Sequence, residues 1–299
     1  MIGAVLGARP LACIAHGLRG AESDDGAFHA FVAVLLVVAC LLYARGAARL
    51  WRKAGAGRGI RIGDAGRFAL GVTTLAAALL SPLDALASRS FAAHMIEHEL
   101  LMVVAAPLFV LSRPLEAWAW GLSRGARRTV AHVTHGRVVR RLWLALAAPV
   151  AATCVHALAL WIWHAPALFD AALESRALHV LQHVAFFASA LAFWWAMFGG
   201  AARVPQAVAL ACLFATMLHT GALGALLTFA PAALYEHANP GVFGLSPLED
   251  QQLGGLVMWV PGGLSYVIVG LMIVASWLRE PRRRGVAARV LELRRTGPA

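Results

Sequence analysis

The chain has 299 residues, of which 60% are hydrophobic and 14% charged, and it carries a formal net charge of +11. An ordinary soluble domain carries roughly 25% charged residues, so the composition excludes that class and points to a polytopic membrane protein with one helical domain. The positive excess does not indicate nucleic acid, because the basic residues fall in blocks between apolar segments, which is how membrane topology is encoded.

Residues 1–27 combine a short apolar run (Leu11–Ala15) with an acidic patch of Glu22, Asp24 and Asp25. The run is too short and weakly flanked for a convincing signal peptide. The segment is expected outside the cytoplasm, with a vestigial signal or a misplaced start left open. Seven segments then approach the ~20 residues that span a bilayer: 28–48, 66–83, 92–112, 143–165, 177–198, 206–229 and 254–278. They predict an all-α, seven-helix membrane domain over 28–279, followed by a basic tail at 280–299. The loops at 45–67 and 113–142 and the tail from Arg279 each hold seven Lys or Arg, and the 199–205 loop holds Arg203. The alternate connections and the N-terminus hold only Arg9, Arg19, Arg89 and Arg176. This alternation predicts an N-terminus outside and a C-terminus in the cytoplasm. Residues 123–142 read as a basic amphipathic helix held on the cytoplasmic surface by anionic lipid.

The third segment opens with His94, Glu97, His98 and Glu99. Ionisable groups in a membrane cost several kcal/mol and so mark a functional site by default. His94 and His98 share a helix face, with Met102 one turn deeper. The fourth segment places His164 at its outer end and His156 about two turns below. His179 and His183 form a second i,i+4 pair in the fifth. His219, beside Met217, lies near mid-membrane in the sixth, and Met258 falls early in the seventh, after Asp250, Gln251 and Gln252. His16, His29 and His237 lie outside, within reach of this depth. A lone buried histidine is often a helix–helix hydrogen-bond donor, and a histidine at a helix end is often interfacial. Two pairs on matching faces are harder to explain without something that binds both members.

Imidazole suits copper, zinc, iron and nickel, and thioether sulfur favours Cu(I). The His/Met mixture therefore leans towards copper, with Glu97 and Glu99 placed to orient a ligating imidazole. Haem is the competing reading, since two histidines at one depth, such as His98 and His183, can ligate its iron. The four cysteines, Cys13, Cys40, Cys154 and Cys212, form no CxxC pair. They imply neither a disulfide framework nor a zinc ribbon. No phosphate loop, Ser/His/Asp order or cysteine-nucleophile motif is present, so no enzyme is expected.

The strings HMIEHELLMVVAAPLFVLSRP (94–114), WHAPALFDAALESRALHVLQHVAFFASALAFWW (163–195), LLTFAP (226–231) and PLEDQQLGGLVMWVPGGL (247–264) resemble, in order and layout, the signatures of the CtaG-like cytochrome c oxidase assembly proteins. The likeness covers roughly residues 30–280. It implies a role in maturing haem–copper oxidases, usually proposed as copper insertion, and it points to His94, His98, His164, His179, His183, Asp250 and Gln251. His219 is followed by Thr220, so the sixth segment offers one imidazole only.

The expectation is a multi-pass protein of the bacterial cytoplasmic (inner) membrane that passes Cu(I) to an oxidase subunit. His94, His98, His164, His179 and His183 are its main candidate metal ligands. His156, His219, Met102, Met258, Asp250, Gln251 and Glu97 are further candidates. The expected partners are oxidase subunits and membrane lipid, with a homo-oligomer left open. A haem-handling protein and a metal-free assembly scaffold are the alternatives.

Overall fold

The computed structural model describes residues 11–199, 204–235 and 242–296, with side chains between 26 and 279 outside the two gaps. Among the described residues every regular element is helical. In order these are α1 (Leu11–Ala54), α2 (Ile62–Leu79), α3 (Pro82–Ala87), α4 (Phe91–Glu99), α5 (Ala106–Leu111), α6 (Pro114–Gly121), α7 (Arg124–Thr134), α8 (Arg137–Leu146), α9 (Pro149–Trp163), α10 (Pro166–Glu174), α11 (Arg176–Phe198), α12 (Gln206–Thr228), α13 (Pro247–Val257) and α14 (Gly263–Thr296). Local chemistry sets many of the starts. Proline opens α3, α6, α9, α10 and α13, where its missing N–H costs nothing. Ser81, Ser90, Ser123, Ser175 and Ser246 cap α3, α4, α7, α11 and α13 by accepting a backbone N–H.

Five helical stretches are long and apolar enough to cross a membrane: Gly26–Ala54, Phe91–Leu111, Arg176–Phe198, Gln206–Thr228 and Pro247–Arg279. A sixth candidate is the pair Arg137–Leu146 and Pro149–Trp163, bent by 75°. The protein is therefore a multi-pass helical membrane protein. The single span expected over 143–165 is corrected by this bend. Pro149 forces the preceding Ala148 into extended backbone (ψ 135°), so residues up to Leu146 belong to a separate helix. Residues 123–142, expected as one amphipathic helix, form two, α7 and the start of α8. α8 leaves Val138, Leu142, Trp143 and Leu144 exposed beside its arginines. α2 occupies the place expected for a span at 66–83. It starts earlier, and its first turns hold the Asp64–Arg67 ion pair (2.7 Å).

The third span is not a uniform α-helix. Between α4 and α5 the chain widens into a π-helical stretch, Leu100–Ala105, where the Ala106 N–H bonds the Leu101 carbonyl. The next carbonyl in this register, Met102, would need its donor from residue 107, which is a proline without N–H. Trp194 of α11 supplies the donor instead, from Nε1 at 2.8 Å. A second π-helical stretch, Met258–Gly262, surrounds Pro261 and joins α13 to α14. Trp194 sits in the main core with Leu101, Leu160, Phe186 and Phe193. A smaller cluster of Phe91, Met95, Phe169, Leu223, Leu227, Tyr235 and Met258 closes the other end.

α1 joins the bundle through α6 at very short range. A Cβ on Gly46 would lie 1.8 Å from the Ala117 carbonyl oxygen, and one on Gly121 would lie 2.3 Å from that of Leu42. Only glycine permits this approach.

Replacing Trp194 by Phe keeps an aromatic side chain but removes the indole N–H and strands the Met102 carbonyl. A stability loss of about 1–3 kcal/mol is expected, seen as a lower thermal transition of the detergent-solubilised protein. Trp195→Phe, which removes no hydrogen bond in the structure, should leave that transition nearly unchanged.

Candidate metal centre

Five histidines converge at one end of the bundle, where the N-termini of α4, α11 and α13 meet the C-termini of α9 and α12. α4 contributes His94 and His98, α11 contributes His179 and His183, and His164 is the C-terminal cap of α9. Within each i,i+4 pair the ring centroids stand 4.3 Å (His94–His98) and 4.2 Å (His179–His183) apart. Across the helices His94 meets His179 at 5.2 Å and His98 meets His183 at 5.3 Å. His164 stands 6.2 Å from His98. One nitrogen each from His94, His179 and His183 lie within 4.8 Å of one another. An ion held at about 2.0–2.1 Å from each nitrogen is reached by side-chain shifts of under about 1 Å.

All five rings are buried, none more than 9% exposed. Phe169 lies 5.1 Å from His94, and Phe186 lies 4.7 Å from His98 and 5.7 Å from His164, so the walls are apolar. His164 Nδ1 donates to the Leu160 carbonyl at 2.7 Å, which leaves its Nε2 as the lone-pair nitrogen. Among the described residues, both nitrogens of His98 and the Nε2 atoms of His164 and His183 have no hydrogen-bond partner. The same is true of both Glu97 oxygens and the Gln182 amide. Each such orphan costs about 1–3 kcal/mol, and native proteins carry few. Their gathering in one place points to a bound ligand. Glu97 is fully buried with Oε1 3.8 Å from His183 Nε2, placed to orient that ring or balance a cation.

The other candidates divide. His156 and His219 form a separate, deeper pair, with His156 about 12 Å along α9 from His164 at 1.5 Å per residue. His156 Nδ1 donates to Ser189 Oγ (3.0 Å), and Ser189 donates on to the Phe186 carbonyl (3.1 Å). Neither His156 Nε2 nor either nitrogen of the half-buried His219 has a partner among the described residues. Met102 packs in the main core and Met258 in the smaller cluster. His29 pairs with Asp84 at 3.0 Å. His237 and the His16 side chain lie outside the described part of the structure.

Asp250 and Gln251 act as clamps. The Asp250 carboxylate accepts from Ser90 Oγ (2.7 Å), Phe91 N (2.6 Å) and Ala92 N (3.2 Å), and so satisfies the first turn of α4, the helix that carries His94 and His98. Gln251 Oε1 accepts the Leu234 N–H at 2.6 Å and its Nε2 donates to Leu227 O at 3.4 Å. This holds the segment after α12 over the site. Tyr235 of that segment donates its hydroxyl to the His164 carbonyl (2.9 Å) and packs on Phe91 and Phe169. Burial and the nearby Asp170 charge push its phenol up, so it stays a donor.

Ser90, Phe169, Gln182 and Tyr235 escaped the sequence reading. Ser90 carries a readable signal, a serine just before an apolar helical run. The other three have none, because only tertiary packing brings them here.

This arrangement defines a polytopic helical membrane protein with a buried multi-histidine centre at one end of the bundle. The chain belongs to the cytochrome c oxidase caa3 assembly factor family, whose model matches residues 41–280. It is 28% identical over 271 residues to two mycobacterial proteins, Uncharacterized protein Mb0105 of Mycobacterium bovis and Uncharacterized protein MT0111 of Mycobacterium tuberculosis. Each match covers 86% of this chain and 40% of the relative. It is 27% identical over 212 residues to Uncharacterized protein ML1998 of Mycobacterium leprae, covering 67% of this chain and 32% of the relative. The chain thus spans well under half the length of these relatives. No solved structure matches it.

If Asp250 is a helix clamp, Asp250→Ala lowers the melting transition, by about 1–3 kcal/mol of stability. Any metal taken up by the folded fraction is then expected to match the wild-type stoichiometry. Unchanged melting with lost metal, measured by elemental analysis after loading, would make it a ligand instead.

Proposed function

We propose that this chain is a non-enzymatic assembly factor of the bacterial cytoplasmic membrane that accepts Cu(I) at the five-histidine centre and hands it to a subunit of cytochrome c oxidase. The observation that carries the reading is the facing of two i,i+4 histidine pairs, on α4 and α11, with unpartnered buried nitrogens between them. Neutral imidazole suits copper and carries no charge of its own into a low-dielectric site. Transfer by ligand exchange needs no nucleophile or general base. His164 and the segment around Tyr235 stand at the mouth of the centre. His156 and His219 lie deeper and form a second stop. Family membership supports the oxidase as client.

The proposed topology has seven spans, with α2 as the second and α9, which follows the 75° bend from α8, as the fourth. The N-terminus and the histidine centre face outward and the basic loops face the cytoplasm. At 18 residues, α2 is about 27 Å long, close to the hydrocarbon thickness of about 30 Å.

The test is elemental analysis and a visible spectrum on protein purified from copper-supplemented cells, beside a His98→Ala/His183→Ala double variant. About one copper per chain without a Soret band is expected, with the copper lost and oxidase activity reduced in the variant. A stoichiometric Soret band would move the centre to haem. A variant that keeps both copper and oxidase assembly would overturn the site. Assembly that depends on the chain but survives loss of each histidine would leave a metal-free scaffold.

A further inference from the structure

The opposite end of the bundle holds a second pocket, of about 350 Å³, unrelated to the histidines. It lies where α1 ends against the α6–α7 junction, and Arg49, Arg52, Lys53, Arg124 and Arg127 surround Trp120 in its wall. No carboxylate lines it. Ion pairs of described residues are found at other sites, among them those of His29, Arg67, Arg113 and His183. Five cations therefore share one cavity without a carboxylate counter-charge among the described residues that line it.

The pocket is also built rather than incidental. Arg49 spends Nη1 on three carbonyls at the end of α6, those of Trp120 (2.8 Å), Gly121 (3.1 Å) and Leu122 (2.8 Å). This fixes the guanidinium in place. Lys53 Nζ and the Arg127 guanidinium both sit over the Trp120 ring, at 5.1 and 4.7 Å. Such contacts hold cations in position without neutralising them.

We infer that this pocket binds a phosphate-bearing anion, and that its source is the headgroup of an anionic phospholipid in the adjoining leaflet. Guanidinium forks match phosphate oxygens geometrically and electrostatically. Three features favour a lipid over a free anion. The pocket closes the end of an apolar stretch, Gly26–Ala54, that is long enough to span the bilayer. Its tryptophan is the residue type that settles at headgroup level. Two of its cations, Arg124 and Arg127, belong to α7, whose exposed Val130 and Val133 suit a lipid surface. A bound headgroup would pull the ends of α1, α6 and α7 together by screening their mutual repulsion.

The test is native mass spectrometry and thermal melting of the full chain in nanodiscs of phosphatidylcholine, with or without phosphatidylglycerol. A variant carrying Arg52→Gln, Lys53→Gln, Arg124→Gln and Arg127→Gln is compared with a control carrying Arg137→Gln, Arg140→Gln and Arg141→Gln on α8. Wild type and control are expected to retain phosphatidylglycerol and melt higher in its presence. The pocket variant should lose both effects, with affinity falling about fivefold per cation removed. Equal retention by the two variants would overturn the site and leave only a general surface effect. Inorganic phosphate at millimolar concentration is added to the phosphatidylcholine discs as a further arm. If it alone reproduces the stabilisation, the pocket serves soluble phosphate and the lipid assignment fails. If the pocket variant does not fold, Arg52→Gln/Arg124→Gln supplies the comparison under the same criteria.

Discussion

Hydrocarbon offers no hydrogen bonds, so a membrane-embedded chain must satisfy each of its polar groups internally. This structure meets the demand with side chains distant in sequence. Trp194 donates to the Met102 carbonyl, which Pro107 leaves without a backbone donor. The carboxylate of Asp250 takes up donors at the start of α4. Arg49 gathers three carbonyls from the end of α6. Against that thoroughness the histidine centre stands out for its fully buried nitrogens and carboxylate oxygens left unmatched among the described residues, with the deeper His156 and His219 adding a smaller second group. Such a concentration of open polar atoms is what a ligand site would need.

The histidine end of the molecule is held by bonds from residues distant in sequence. Around the centre, α4 is fixed at its first turn by Asp250, and His164 is fixed in tautomer by Leu160 and covered through Tyr235. The π-helical stretch begins directly after α4, so the carbonyl ladder is already reorganised one turn below His98. Wide turns of this kind often occur at functional sites. Here the stretch lets a proline sit in a buried helix while both histidines of α4 keep a common face. The proposed metal exchange would need ligands that hold a shared geometry yet release their cargo, and imidazoles on clamped helices suit that combination.

Much of this was legible in the residues. The third, fifth and sixth apolar segments fall within a residue or so of Phe91–Leu111, Arg176–Phe198 and Gln206–Thr228, because hydropathy and capping agree there. The two histidine pairs were visible because an i,i+4 spacing fixes a common face whatever the tertiary packing. The partners of Asp250 were not, because the carboxylate lies 160 residues from Ser90 and its first-turn position reads equally well as a cap for its own helix. The residues 143–165 read as one span because apolar character runs through Trp143–Ala148 unbroken. The backbone restriction that Pro149 places on Ala148 prevailed over that pattern. From sequence, Glu97 is expected to orient a ligating imidazole, and Met102 and Met258 to join the histidines as soft ligands. Packing separates them, setting Glu97 against His183 and sending Met102 and Met258 into apolar clusters.

The bend before α9 also bears on the bilayer itself. α9 has 15 residues, about 22 Å at 1.5 Å per residue, against a hydrocarbon layer of about 30 Å. Such hydrophobic mismatch is relieved by thinning the surrounding lipid. In the proposed topology the bundle would therefore dimple the membrane around α9, with His164 at the rim of the depression. Headgroups and water would then descend towards the histidines and shorten the hydrocarbon path between the aqueous phase and the centre.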